Sequence, residues 1–199
     1  CDDFQFADHE HVTAVIRGDC LTAADIHPHP GPIHVDLSNI SCANTHRHAL
    51  GQGRADLHFV SEASLAAYEI EEMRTFLRDK YKKEARFTGT DIESGHRTGG
   101  VGAIARAPHN LVVVKPLTFE FAELDATGRV GIYGVEARGG HTLTFVIVYG
   151  WTGGAQDASV AARTSDLLSI VFRELQAQPD GPQFIMGDFN ASVPDLVAL

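Results

Sequence analysis

Gly187-Asp188-Phe189-Asn190 closes a short apolar run, Phe184-Ile185-Met186. An apolar run of about 4–5 residues bounded by turn residues reads as a buried strand. On extended chain, residues two apart leave on the same side, so Asp188 and Asn190 are expected together where the strand stops. A carboxylate beside a carboxamide at a sheet margin can orient a water, hold a hard cation or contact a phosphate oxygen. The same tetrapeptide also suits an Asx-type turn, because Gly, Asp and Asn are turn residues. Two further polar side chains fall at expected strand ends: Asn39 within the strand-like stretch 33–41, and Glu62 after Leu57-His58-Phe59-Val60-Ser61. An amide on a central strand must be hydrogen-bonded or serve a site. Glu62 also suits the first turn of a helix, where the macrodipole favours an acid. Tyr149 ends another apolar run, at the mouth of the loop Gly150-Trp151-Thr152-Gly153-Gly154. A Tyr there is ordinarily a half-buried packing residue with a solvated hydroxyl.

These side chains need strands and helices to position them. The 199 residues make room for one domain with a sizeable core. Residues 65–84 predict a helix: Ile70, Met73, Leu77 and Tyr81 recur at helical spacing, with charges on the other face. Val101–Ala105 suits a strand against close neighbours. Leu111–Val114, Leu117–Leu124 and Arg129–Ala137 read as strands, and Gly139-Gly140 as a hairpin turn into a strand over 142–149. Asp157 or Ser159 can cap a second helix, with Val160, Thr164, Leu168, Val171, Phe172 and Leu175 as its buried stripe. Adjacent antiparallel strands, rather than strict βαβ repetition, are the expectation.

Composition excludes several classes. No apolar run approaches the length of a membrane span, and no secretory signal pattern is visible. Cys1, Cys20 and Cys42 lack the number and spacing of a disulfide framework or a zinc ribbon, so a reducing compartment is the default. The chain opens on Cys rather than Met, which suits a piece of something longer. A net charge of −10 is unhelpful for gripping DNA through its phosphates, although a cation in a site can supply positive charge locally. The basic run Arg78, Lys80, Lys82, Lys83 and Arg86 reads first as a solvated helix end. Residues 1–34, rich in His and with Pro28, Pro30 and Pro32 close together, read as an irregular leader before a domain over 35–199.

The order of Asn39, Glu62, Tyr149, Asp188 and Asn190, and the helices expected after Glu62 and Tyr149, resemble the endonuclease/exonuclease/phosphatase family. Gly187-Asp188-Phe189-Asn190 is the most specific match. The stretches 99–106 and 146–150 support it, and in Ser61-Glu62-Ala63 only the Glu matches the family's usual Gln-Glu-Thr. The resemblance covers roughly residues 35–199. It implies a four-layer α/β sandwich, two packed, mostly antiparallel sheets flanked by helices, and phosphoester hydrolysis with a divalent cation. By resemblance, Glu62 is the main metal ligand with Asn39 beside it. Asp188 activates the attacking water, Asn190 positions it, and Tyr149 contacts the scissile phosphate or its leaving oxygen. Hard oxygen ligands imply Mg²⁺, with Mn²⁺ as a substitute.

The stretch Asp25-Ile26-His27-Pro28-His29-Pro30-Gly31-Pro32 resembles one that precedes this domain in LINE-type retrotransposons, with His29 where Asn is usual. That implies a DNA-nicking endonuclease, intracellular and nuclear, with DNA as partner. The family closes with further strands, a later Asp and a Ser-Asp-His segment, which do not precede Leu199. The expectation is therefore a domain lacking its C-terminal strands, with impaired catalysis. The alternatives are a small-molecule or lipid phosphatase of the same fold and a non-catalytic remnant of a mobile element.

Overall fold

The computed structural model describes residues 11–16, 32–93, 96–136 and 142–191. The first sheet holds β1 (His11–Ile16), β2 (Ile33–Asn39), β3 (Leu57–Ser61), β4 (Lys83–Phe87) and β7 (Gly102–Arg106), in the order β1-β2-β3-β7-β4. The second holds β8 (Leu111–Val113), β9 (Val130–Glu136), β10 (Thr142–Tyr149) and β11 (Gln183–Asp188), in the order β11-β10-β9-β8. A small hairpin, β5 (Asp91–Glu93) and β6 (His96–Thr98), stands apart. Helices α1 (Ala43–Gln52) and α2 (Ala67–Tyr81) belong with the first sheet, α3 (Phe119–Ala126) and α4 (Ala158–Ala177) with the second.

The alternation of side chains along a strand builds four layers from these elements. Leu57 and Phe59 of β3 face Phe145 and Ile147 of β10 between the sheets. Val60 faces Met73 and Leu77 of α2, while Val146 and Val148 face Leu168 and Val171 of α4. Strands covered on both faces need apolar residues at successive positions, which is why β10 reads as a continuous run. Most pairings are antiparallel. The exceptions are β2 with β3 and β10 with β11, which run parallel. Each parallel pair follows from a helical crossover, α1 or α4, and each sends two strand ends to one margin of its sheet.

The structure departs from the sequence reading in four places. His11–Ile16, placed in the irregular leader, pair antiparallel with β2 as an edge strand. Residues 1–10 and 17–31, with the rest of the His/Pro tract, lie outside the described residues. Leu117–Leu124, expected as a strand, is mostly α3. Glu174 of α4 decides this: its carboxylate accepts from Leu117 N (2.8 Å), Thr118 N (2.8 Å) and Thr118 Oγ1 (2.6 Å). It thereby satisfies the free N–H groups at the start of α3 from 56 residues away. The helix expected over 65–84 stops at Tyr81, and β4 begins at Lys83. Lys82 turns left-handed (φ 56°), and Lys83 buries its Nζ on Leu50 O (3.1 Å) and Gly53 O (2.7 Å) at the end of α1. The basic run is thus split among a helix, its cap and a strand. Residues 89–100, a polar stretch rich in turn-forming residues, carry the β5–β6 hairpin.

Other expectations hold. Asp157 caps α4, accepting from Ser159 N at 2.8 Å. The hairpin joining β9 to β10 is present, with its Gly139-Gly140 turn outside the described residues.

Glu174 carries the first prediction. Burial pushes its carboxyl up, but hydrogen bonds from Thr118, Leu117 and Gln178 outweigh that and hold it below its usual value. A depressed folded-state value contributes stability above the unfolded value, lost as pH falls through the folded one. Glu174→Ala is expected to cost on the order of 3 kcal/mol in urea unfolding at neutral pH. The difference from the unaltered chain should shrink below about pH 4.

Candidate functional site

The two parallel strand pairs end at one rim. There the inward-facing positions carry polar side chains in place of the apolar ones that precede them. On β2, Val35 and Leu37 lead to Asn39; on β3, Leu57 and Phe59 lead to Ser61. On β10, Phe145 and Ile147 lead to Tyr149; on β11, Phe184 and Met186 lead to Asp188. Register places Asn39 beside Ser61 in one sheet and Tyr149 beside Asp188 in the other.

One hydrogen bond joins the two sheets at this rim. Asn39 Nδ2 donates to Asp188 Oδ2 at 2.6 Å, across 149 residues of chain. The other carboxylate oxygen of Asp188 accepts from Asn190 N at 3.0 Å. The expectation that Asp188 and Asn190 leave one extended strand on the same side is corrected here. The strand ends at Asp188, Asn190 turns left-handed (φ 50°), and the pair forms an Asx-type turn. Asn190 reaches the site's neighbourhood by this turn, with Nδ2 donating to Gly150 O at 3.2 Å.

Glu62 follows Ser61 in a left-handed conformation (φ 58°) that is unfavourable for a residue with a side chain. Backbone bonds hold it there: Ala63 N to Gly100 O (2.8 Å) and Ser64 N to Gly99 O (3.0 Å). Gly99 and Gly100, themselves at positive φ, let this loop close against Gly128. Strain of this kind persists only where surrounding structure enforces it, and it concentrates at functional rims.

Electrostatics place Glu62 and Asp188 around Tyr149. Burial pushes the phenol up, and the Glu62 and Asp188 carboxylates add to that. The bond between Tyr149 Oη and Thr152 Oγ1 (3.3 Å) and the nearby Arg129 cation oppose them. The net shift is upward, so the phenol stays protonated and can donate at neutral pH. Tyr149 is only 3% exposed, more deeply buried than the sequence reading supposed, whereas Asn39, Glu62, Asp188 and Asn190 are half-buried and reachable from solvent.

The available donors are hard oxygens. Glu62 offers a carboxylate and Asn39 an amide oxygen. Ser61 offers a buried hydroxyl with no hydrogen-bond partner among the described residues. Both Asp188 oxygens are already engaged, which suits a group that orients a water better than one that grips a cation. No cluster of three or more His, Cys, Asp or Glu able to hold a metal occurs among the described residues. The donor chemistry fits a hydrated hard divalent cation better than zinc.

Sequence reasoning missed two members of this rim. Ser61 is hidden because a Ser ending a strand is unremarkable. Arg129, fully buried, was read only as the start of a strand. Its one sequence signal is a charge directly before the apolar run of β9.

No protein-family model matches the chain, and no curated protein matches it in sequence. Solved structures do resemble it. An AP endonuclease from Archaeoglobus fulgidus superposes with a TM-score of 0.50 at 14% identity, covering 72% of this chain and 51% of that one. The APE2 catalytic domain of Xenopus laevis superposes with a TM-score of 0.52 at 16% identity, covering 77% and 57%. The chain has the endonuclease/exonuclease/phosphatase fold. It spans little more than half the length of these two structures. The endonuclease domain of TRAS1, a telomere-specific non-LTR retrotransposon, gives a TM-score of 0.45 at 12% identity over 80% of this chain and 60% of that one. The sandwich frames the rim where β2, β3, β10 and β11 end.

Proposed function

We propose that the rim hydrolyses phosphodiesters with the help of a divalent cation, and that its substrate is DNA, which it nicks as a retrotransposon-type endonuclease. The observation that carries this reading is the Asn39–Asp188 bond between the sheets, with Glu62 and Tyr149 within electrostatic reach of each other. Phosphoryl transfer asks for in-line placement and charge neutralisation more than for covalent chemistry.

Each side chain then has a task. Glu62 and Asn39 Oδ1 would hold Mg²⁺, or Mn²⁺ in its place, with Ser61 close to the same rim. The cation would supply charge neutralisation at the phosphoryl oxygens. Asp188, fixed by Asn39 and Asn190, accepts a proton from the attacking water. The water oxygen bonds to phosphorus as the bond from phosphorus to the leaving oxygen breaks. Tyr149, held protonated, donates to the phosphate or to that leaving oxygen. Asn190 positions the water and the phosphoryl oxygens.

The preference for DNA draws on the resemblance at residues 25–32, which lie mostly outside the described residues, and on the endonucleases that share the fold. A nuclear setting goes with that reading. The net charge of −10 favours a second reading, a small-molecule or lipid phosphoester as substrate. One assay separates them. Supercoiled plasmid and bis(p-nitrophenyl) phosphate are each incubated with the protein in Mg²⁺, in Mn²⁺ and in EDTA. Metal-dependent nicking with slow cleavage of the small diester supports the endonuclease. The reverse preference supports the phosphatase, and no turnover of either in any metal leaves a non-catalytic remnant.

A further inference from the structure

Arg129 immediately precedes β9 and is among the largest fully buried side chains of the described residues. Burying a guanidinium is costly unless its N–H groups are satisfied and its charge is used. Several of its contacts lead to the rim. Nη1 donates to Gly150 O at 3.2 Å, the same carbonyl that accepts from Asn190 Nδ2 at 3.2 Å. Nη2 donates to Thr98 Oγ1 at 3.3 Å, beside the Gly99-Gly100 turn that holds Glu62. Its own backbone oxygen accepts from Tyr149 N at 2.8 Å, and its guanidinium lies 5.2 Å from the centre of the Tyr149 ring.

The guanidinium also stacks on Trp151, 3.9 Å from the ring centre, while that of Arg163 lies 3.7 Å from the same centre. Two guanidinium groups that close to one ring cannot share a face, so Trp151 is held between them. The result is a stack from the buried Arg129, through Trp151, to Arg163 at the surface, with Tyr149 beside the buried end. Stacking on an aromatic face and planar donation in a fixed fork are properties of Arg that Lys does not reproduce.

We infer that Arg129 is a positioning residue of the phosphoester site: through the Gly150 carbonyl and the Tyr149 ring it sets the relative placement of Asn190 and Tyr149. The inference rests on the proposed hydrolysis for its kinetic consequence, but its geometric content stands without it. A residue that only fills space would affect melting and not the rim. A positioning residue must also alter the groups it places.

The test uses Arg129→Lys, which keeps the charge, and Arg129→Met, which keeps much of the volume. Trp151 is the sole tryptophan of the chain, so its emission and its single indole N–H resonance report the stack directly. The expected result is a shift of both Trp151 signals and of the Asn190 side-chain NH₂ resonances in both variants, with the circular dichroism of the folded chain retained. Nicking is expected to lose at least about tenfold in kcat with KM within about twofold, and Lys is expected not to rescue it. Unmoved Asn190 resonances in a folded Arg129→Lys protein would overturn the inference, as would an unchanged kcat. Should the unaltered protein turn over neither substrate, the hydrolase reading fails on that ground and the Asn190 resonances alone decide the role of Arg129. Should both variants fail to fold, the same resonances are read in Trp151→Phe. That variant keeps Arg129 but removes its stacking partner, and unmoved Asn190 signals there would equally overturn the inference.

Discussion

Asp188→Ala is expected to reduce metal-dependent nicking by about 10²–10⁴-fold, the range spanned by loss of a positioned general base. The geometry makes this more than the loss of one carboxylate. Asp188 accepts from Asn39 Nδ2 with one oxygen and from Asn190 N with the other, so its removal frees two partners on two different sheets. Stability should fall by only about 1–2 kcal/mol, since the groups left unpaired are half-buried and can turn to water. Asp188→Asn is the sharper variant. Its amide nitrogen cannot accept, so the Asn190 N bond or the Asn39 Nδ2 bond is lost, or the Asn39 amide turns over. Turning over would spend Asn39 Oδ1 on the new amide and remove it from the proposed cation. D188N should therefore lose rate and, where the Asn39 amide turns over, also need more Mg²⁺ for half-maximal activity. Plasmid nicking across a Mg²⁺ titration measures both. Equal nicking by the unaltered chain and D188A would remove Asp188 from the mechanism.

Gly187→Ala is expected to detach β11 and cost about 3 kcal/mol or more. Gly187 adopts φ +153°, and a Cβ there would lie 1.9 Å from Val148 O and 2.7 Å from Val148 C. Both contacts are to the backbone of β10, which is held on its other side by β9 and cannot withdraw. The strain falls one residue before Asp188, where Gly150 N donates to Asp188 O at 2.7 Å. Urea unfolding gives the loss. Amide exchange at Gly150 shows whether the damage is local, with expected acceleration there and little change in α2. An unaltered melting temperature with unaltered Gly150 exchange would show that β11 tolerates the methyl.

The sandwich was legible wherever periodicity and burial agreed. Val146–Tyr149 runs apolar because β10 is covered on both faces, and α2 and α4 show their buried stripes. The site was legible through its strand ends, because Asn39, Glu62 and Asp188 each interrupt an apolar pattern. Position by position, the failures share a cause, which is contact from far along the chain. Leu117–Leu124 alternates like a strand, yet Glu174 supplies the acceptor oxygens that let a helix begin at Phe119. Lys83 belongs to a charged run, yet α1 offers it two terminal carbonyls and it goes inside. Arg129 carries no periodic signal, and its role appears only when Gly150, Trp151 and Tyr149 surround it. Asn190 comes to the rim by a geometry other than the expected one, since the left-handed turn, not strand alternation, brings it round.

The pairing of Tyr149 with Asp188 also sets which changes of length the chain can absorb. The connection from Gln178 to Pro182 can gain residues at small entropic cost, because it lies between α4 and the start of β11. Within Gln183–Asp188 the count is fixed by parity: one residue inserted before Gly187 would swing Asp188 round to the α4 side and bring Gly187 into its place. Grafts, tags or natural insertions should therefore collect before Gln183 and be absent from the six residues after Pro182.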